Sequence, residues 1–260
     1  MLGVHHAGTG LAAWVAFTAS SPFIPSFGVM PLEPAAVALG GVVAAGAALL
    51  PDADHPSATI SYSVPVVGKA VTSAIGSASG GHRHGTHSGL SAILVVMVAF
   101  TLTPLLHGHA IAGSPQVFIA GAVAAALLTF AMKVLRIVRS WGIAWLTGII
   151  IAGLITLFLP GQWEWLPWAV AIGWVTHMAG DFLTVGGLPL LWPLPVRPPK
   201  TWKDFPLLNA LWTQGGYFAL PIVGVTGSWR ESVVAVPLTL YGFYGIGVSA
   251  LSLLPFLHLG

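Results

Sequence analysis

Eight long apolar runs dominate this chain, at residues 6–21, 34–50, 89–106, 116–134, 141–159, 165–185, 207–227 and 232–257. A helix needs roughly 20 apolar residues to cross a bilayer core. The first two runs are short and need tilt, local thinning or extension beyond the apolar stretch. Only 6% of the residues are charged and 56% are hydrophobic. A soluble domain carries about 25% charged residues, so this chain cannot coat a water-soluble globule. The predicted fold is all-α: a polytopic transmembrane bundle of about eight helices, forming one integral-membrane domain over residues 1–260. A cytosolic enzyme, a secreted disulfide scaffold and a disordered chain are excluded.

The chain has no cysteine, so thiolate chemistry and Cys-type zinc sites are excluded. No basic stripe suits a nucleic acid, and none is expected as a partner. The N-terminus lacks a basic segment, so no cleaved signal peptide is expected.

Orientation follows from the loops. Lys133, Arg136 and Arg139 lie between the fourth and fifth runs, which places that loop in the cytoplasm by the positive-inside rule. Counting outward, Lys69, Arg83, Arg197, Lys200 and Lys203 join them on the cytoplasmic side, and only Arg230 falls outside. Both termini are then predicted to be cytoplasmic. Two hydrophilic segments, 51–88 and 186–206, lie on that side. Within the first, Val64–Ser79 reads either as an interfacial helix around Lys69 or as a flexible Ser/Gly loop.

Ten histidines outnumber seven acids, and ionisable groups in so apolar a chain tend to be functional. Four clusters stand out: His5-His6, Pro51-Asp52-Ala53-Asp54-His55-Pro56, Gly81-His82-Arg83-His84-Gly85-Thr86-His87-Ser88, and His177-Met178-Ala179-Gly180-Asp181. The topology drawn from Lys and Arg alone puts all four in one cytoplasmic-side layer. Imidazole plus carboxylate without sulfur suits zinc, and also manganese or iron. His177 and Asp181 are four apart on a helix and share a face. Asp52 and Asp54 sit in a turn between prolines. His82 and His87, five apart, need the glycine turn between them to converge. Thr86 and Ser88 can orient ligands from behind, and Ser88 can cap the helix that follows. His5 and His84 neighbour the clusters without a distinct role. His107, His109 and His258 read as structural or interfacial, and the tryptophans as interfacial belts.

At these positions the chain resembles the YdjM-like, LexA-binding, inner-membrane-associated family of metal-dependent hydrolases. The resemblance rests on His6-Ala-Gly-Thr-Gly10, Leu50-Pro-Asp-Ala-Asp-His-Pro56, Gly81-His-Arg-His-Gly-Thr-His-Ser88, and His177-Met-Ala-Gly-Asp-Phe-Leu-Thr184 running on into Gly187-Leu-Pro-Leu-Leu-Trp-Pro193. The His-x-x-x-Gly spacing assigns the N-terminal role to His6. More distantly the family is similar to the zinc phospholipase C and P1 nuclease group. That resemblance implies phosphoester hydrolysis with two or three zinc ions, held by His6, Asp52, Asp54, His55, His82, His87, His177 and Asp181.

The expected reaction is attack of a metal-activated water on a phosphoester at the cytoplasmic face. Asp52 or Asp54 serves as base or ligand, and Arg83 neutralises the phosphate. Arg197 and Lys200 can help, or can simply mark topology and anionic-lipid contact. A site beside the headgroups favours a phospholipid or a polyprenyl phosphate. No His-Glu-x-x-His occurs, which disfavours a metalloprotease. The competing reading is a divalent-cation or proton-coupled transporter, which would place ligands near the midplane. A third is a structural protein stabilised by zinc.

Overall fold

Small residues decide where the helices of this protein meet. The computed structural model describes residues 1–106, 114–194 and 196–254. Helices α1 (Gly3–Thr18) and α2 (Pro34–Ala47) are followed by a 3-10 turn at Pro51–Asp54 and by α3 (Val67–Ala78). Then come α4 (Gly89–Leu106), α5 (Pro115–Val134), α6 (Trp141–Phe158), α7 (Leu166–Phe182), α8 (Pro206–Leu211) and α9 (Trp229–Leu251). No strand is formed among the described residues. His107, His109 and His258 lie outside the described residues.

Helix α2 is the hub. A Cβ on Gly46 would sit 2.0 Å from the Leu127 carbonyl of α5, and one on Gly173 of α7 would sit 2.4 Å from the Ala44 carbonyl. Such contacts let helix backbones approach where lipid offers no hydrophobic drive between them. Trp14, Val43, Ala44, Ala47, Leu127, Leu128 and Ala169 fill the core around this hub. Among the described residues, four segments are long and apolar enough to cross a membrane: Pro34–Asp54, Pro115–Val134, Trp141–Phe158 and Trp229–Leu251; Gly89–Pro104 is a shorter apolar helix.

The helix expected over 207–227 does not form. Helix α8 ends at Leu211, and the chain then turns irregularly to Ser228. The segment is apolar, but Pro221 and the left-handed glycines Gly216, Gly224 and Gly227 cannot continue a helix. It pairs instead with the chain leaving α7. Leu188 and Phe218 exchange two hydrogen bonds of 2.8 Å, and Leu220 N–H donates to Phe182 O at 2.8 Å.

The chain therefore enters α9 at the end of the bundle where α7 finishes, and α9 runs parallel to α1. Glu231 bonds His5 and Leu2 at one end. Further along, Gly242 meets Leu11 and Gly245 meets Val15. At the far end Tyr244 Oη donates to Phe23 O at 2.9 Å. This direction is opposite to the one the eight-run count requires. It also moves Arg230 to the end shared by the other eight Lys and Arg, and it carries the end of α9 away from the end where α1 starts.

Residues 67–78 are helical, which resolves the alternative left open for 64–79. Helix α3 buries Thr72 and Gly76 and exposes Val67 and Val71. Gly76 lies against the Asp54 carbonyl, where a Cβ would be 2.5 Å away. Helix α3 thus rests on the turn that carries the two aspartates.

Candidate metal centre

The centre is built where α1 and α4 begin and where α2 and α7 end. Pro51 opens the 3-10 turn after α2, a position where its missing N–H costs nothing. The turn sends Asp52 and Asp54 to the same side. Asp54 is buried and organises the loop before α4. Its carboxylate accepts from His82 Nδ1 at 2.8 Å, Arg83 N–H at 2.9 Å and Thr86 Oγ1 at 2.6 Å. Arg83 has φ +58, a left-handed conformation that is uncommon for a side-chain-bearing residue. Its backbone bond to Asp54 offsets that cost. Ser88 accepts from Ser91 N–H at 3.1 Å and caps α4.

His177, one turn before the end of α7, is fully buried. Its Nδ1 donates to Ala48 O at 2.7 Å. A carbonyl only accepts, so Nε2 presents its lone pair to the centre. That atom lies 3.1 Å from His87 Nε2, 3.7 Å from Asp52 Oδ1 and 3.8 Å from Asp181 Oδ2. His87 Nε2 lies 3.5 Å from Asp52 Oδ1 and 3.8 Å from Asp181 Oδ2. Ligand bonds of about 2.0–2.2 Å in a tetrahedron put donor atoms about 3.3–3.6 Å apart. Each of the two carboxylates therefore stands, with the two imidazoles, at roughly the spacing one ion requires.

Among the described residues, donor atoms gather in three groups, each within 4.8 Å: His87, His177 and Asp181; His6, Asp52 and His177; and Asp52, Asp54 and His82. Asp52 and His177 each belong to two groups, so the set suits adjacent ions with shared ligands. His6 stacks on His177 with ring centroids 3.6 Å apart. It is fully buried, and neither of its ring nitrogens makes a hydrogen bond, although Nε2 is 3.2 Å from Asp181 Oδ1. An unsatisfied buried imidazole is costly unless something else completes it, and a cation would.

Charge at the centre is lopsided. Three carboxylates, Asp52, Asp54 and Asp181, outnumber two cations, the Arg83 guanidinium 3.1 Å from Asp181 Oδ2 and the amino group of Met1, which also contacts Asp181. Burial works against a charged His87, but Asp52 and Asp54 outweigh it and raise its pKa to about 9. The centre attracts a positive charge, whether a proton or a metal ion.

Seven of the eight sequence-predicted ligands fall in these groups. His55 does not. Its Nδ1 accepts from Ser57 N–H at 3.1 Å, and its ring meets His82 edge-on at 4.5 Å. His84 also turns away, with Nδ1 donating to His82 O at 3.0 Å and the ring facing Tyr217. His5 bonds Glu231 Oε1 at 2.5 Å. Glu231 was not singled out from the sequence. It is fully buried, and it also accepts from Leu2 N–H at 2.7 Å and Gly227 N–H at 2.8 Å. A signal was present, because Ser228-x-x-Glu231 has capping-box spacing and Ser228 does cap α9.

One comparison with known proteins places the chain. The model of a family described as "YdjM inner membrane protein" matches residues 1–254. The chain belongs to the YdjM inner membrane protein family. The match spans all four clusters, so the centre of this YdjM-family chain lies within the family's own region. No curated protein and no solved structure matches it. Family membership and the apolar helices together identify a membrane protein with buried His/Asp groups able to hold a metal ion.

Proposed function

We propose that this chain is a membrane-bound, metal-dependent hydrolase that cleaves a phosphoester of a lipid or lipid-linked substrate. In that respect it would be phospholipase C-like. The observation that carries the reading is the pair His87 Nε2 and His177 Nε2, 3.1 Å apart, with Asp52 Oδ1 and Asp181 Oδ2 each 3.5–3.8 Å from both nitrogens. These four, with His6, Asp54 and His82, would hold two or three ions, zinc before manganese or iron given the donor set. Bound there, the metal would supply Lewis-acid chemistry and lower the pKa of water to about 7.

The chain's own residues divide the remaining work. Asp54 spends its oxygens on His82, Arg83 and Thr86, which suits a ligand and loop anchor. The Asp52 side chain is 26% exposed, which suits a base open to water and substrate. Arg83, half-buried beside Asp181, would meet a phosphate oxygen. All nine Lys and Arg lie at the same end of the bundle as the centre. This supports a cytoplasmic site and N-terminus, with the end of α9 at the other face.

The transporter reading is weakened one turn beyond His177, where Gly173 packs on the Ala44 carbonyl and Ala47 and closes the seam between α2 and α7. Elemental analysis of purified protein tests the proposal, with Asp181→Ala alongside. Two or more zinc per chain, reduced in the variant, together with turnover of phospholipid or polyprenyl-phosphate esters, supports it. Wild type without stoichiometric metal overturns it and restores transport as the leading reading.

A further inference from the structure

The loop that carries His82 and His87 has two faces. One meets the aspartates. The other borders a separate cavity of about 220 Å³, lined by His84, Trp192, Leu194, Arg197, Gly216 and Tyr217 among others. The loop is pinned to the cavity wall on both sides of its histidines. Gly89 N–H donates to Leu190 O at 3.0 Å, and Gly80 lies against the Trp192 indole. The opposite wall is fixed too: Gly216, at φ +89, backs so closely onto the Val196 carbonyl that a Cβ would come within 2.9 Å.

The lining is chemically two-sided. Arg197, the His84 imidazole and the Tyr217 hydroxyl supply a cation and hydrogen-bond donors. Among the described residues, Arg197 has no carboxylate partner. Leu191, Leu194 and Val196 supply an apolar side, and all three are exposed at the rim. A guanidinium and donors facing an aliphatic wall match an amphiphile whose polar end carries a phosphate.

We infer that this cavity is a binding site for the phosphate-bearing headgroup of an amphiphilic lipid, held by Arg197, His84 and Tyr217 beside the metal centre. The inference rests on the hydrolase reading only in making that lipid the substrate; the binding itself does not depend on turnover. Inorganic phosphate shares the polar chemistry and leaves the apolar wall empty.

The test is binding of dihexanoylphosphatidate, dihexanoylglycerol and inorganic phosphate to the detergent-solubilised full chain. Phosphatidate is expected to bind at least about tenfold more tightly than either of the others. Arg197→Gln should weaken phosphatidate about tenfold, Tyr217→Phe less, and Leu194→Asp should weaken phosphatidate while sparing phosphate. Metal content should not change in any of them. Phosphatidate binding unaltered by Arg197→Gln overturns the inference, as does inorganic phosphate binding equally well. The two readings fail separately. Arg197-dependent binding without phosphoester turnover leaves the cavity assigned and removes the hydrolase. Turnover with KM and binding unchanged in Arg197→Gln does the reverse.

Discussion

The two walls of the metal centre are held in different ways. The inner wall, His6, His177 and Asp181, is fully or almost fully buried on α1 and α7. Close helix packing fixes it, and a backbone carbonyl of α2 orients His177. The outer wall, His82 and Arg83, sits on a loop between two helices. Its side chains are 38% and 22% exposed, and it depends on hydrogen bonds to the single carboxylate of Asp54. Packing makes the inner wall a fixed receptor for an ion, whereas the outer wall is where a substrate gains access and where an ion is most easily lost. Asp52 and His87 stand between the walls.

The strongest attempt to break this contrast is His177→Ala. It removes a donor from two groups at once and leaves a cavity beside His6. Metal affinity should fall by more than about 100-fold, since losing an outer partner alone costs about 10–100-fold. Activity and Tm should fall with it. Unchanged metal content and turnover in both His177→Ala and Asp54→Ala would sink the site assignment.

Asp54→Ala separates the walls. It strands Arg83 N–H, Thr86 and His82, so the loop loosens and the Asp52, Asp54 and His82 group loses an ion. About one ion fewer per chain by elemental analysis, with the His87, His177 and Asp181 group still loaded, is the expected result. Loss of all metal would show that the walls form one unit.

Much of the inner wall was legible in the sequence. His177 and Asp181 declare a shared helix face by their spacing, and Pro51 and Pro56 bound a turn that shows Asp52 and Asp54. What was not legible was tertiary. Residues 207–227 are apolar enough to read as a span. Only their pairing with residues 182–188 reveals a re-entrant connector at the end of α7. That single error reversed α9 and made Arg230 the outlier. His55 falls outside the three groups for a local reason: Ser57 holds its Nδ1, and its ring meets His82 edge-on. Glu231 escaped because the helix it caps was expected to start at 232.

His87 sharpens the comparison through pH. In metal-free protein its pKa is raised from 6.5 to about 9. The stability this adds is fully present below pH 6.5 and is lost as pH rises through 9. The loss is about 3 kcal/mol, at roughly 1.4 kcal/mol per unit. A metal replaces the proton, so zinc-loaded protein should show the opposite trend and bind more tightly as pH rises. Thermal melts of stripped and loaded protein between pH 6.5 and 9 should diverge. Parallel curves would place His87 outside the ion's reach.

The smallest expected effect is the most selective. Arg83 is the outer-wall side chain that reaches the inner wall, at Asp181 Oδ2. Gly186 makes room for it, because a Cβ there would sit 2.0 Å from a guanidinium nitrogen. Gly186→Ala meets only the end of a flexible side chain, so the fold can absorb it while Arg83 moves off Asp181. Metal content and Tm should stay near wild type, and kcat on a phosphoester should drop about tenfold, the scale of one charge-assisted hydrogen bond. If metal is lost instead, Arg83 holds the inner wall in place. If neither changes, Arg83 belongs to the loop alone and the phosphate contact must come from elsewhere.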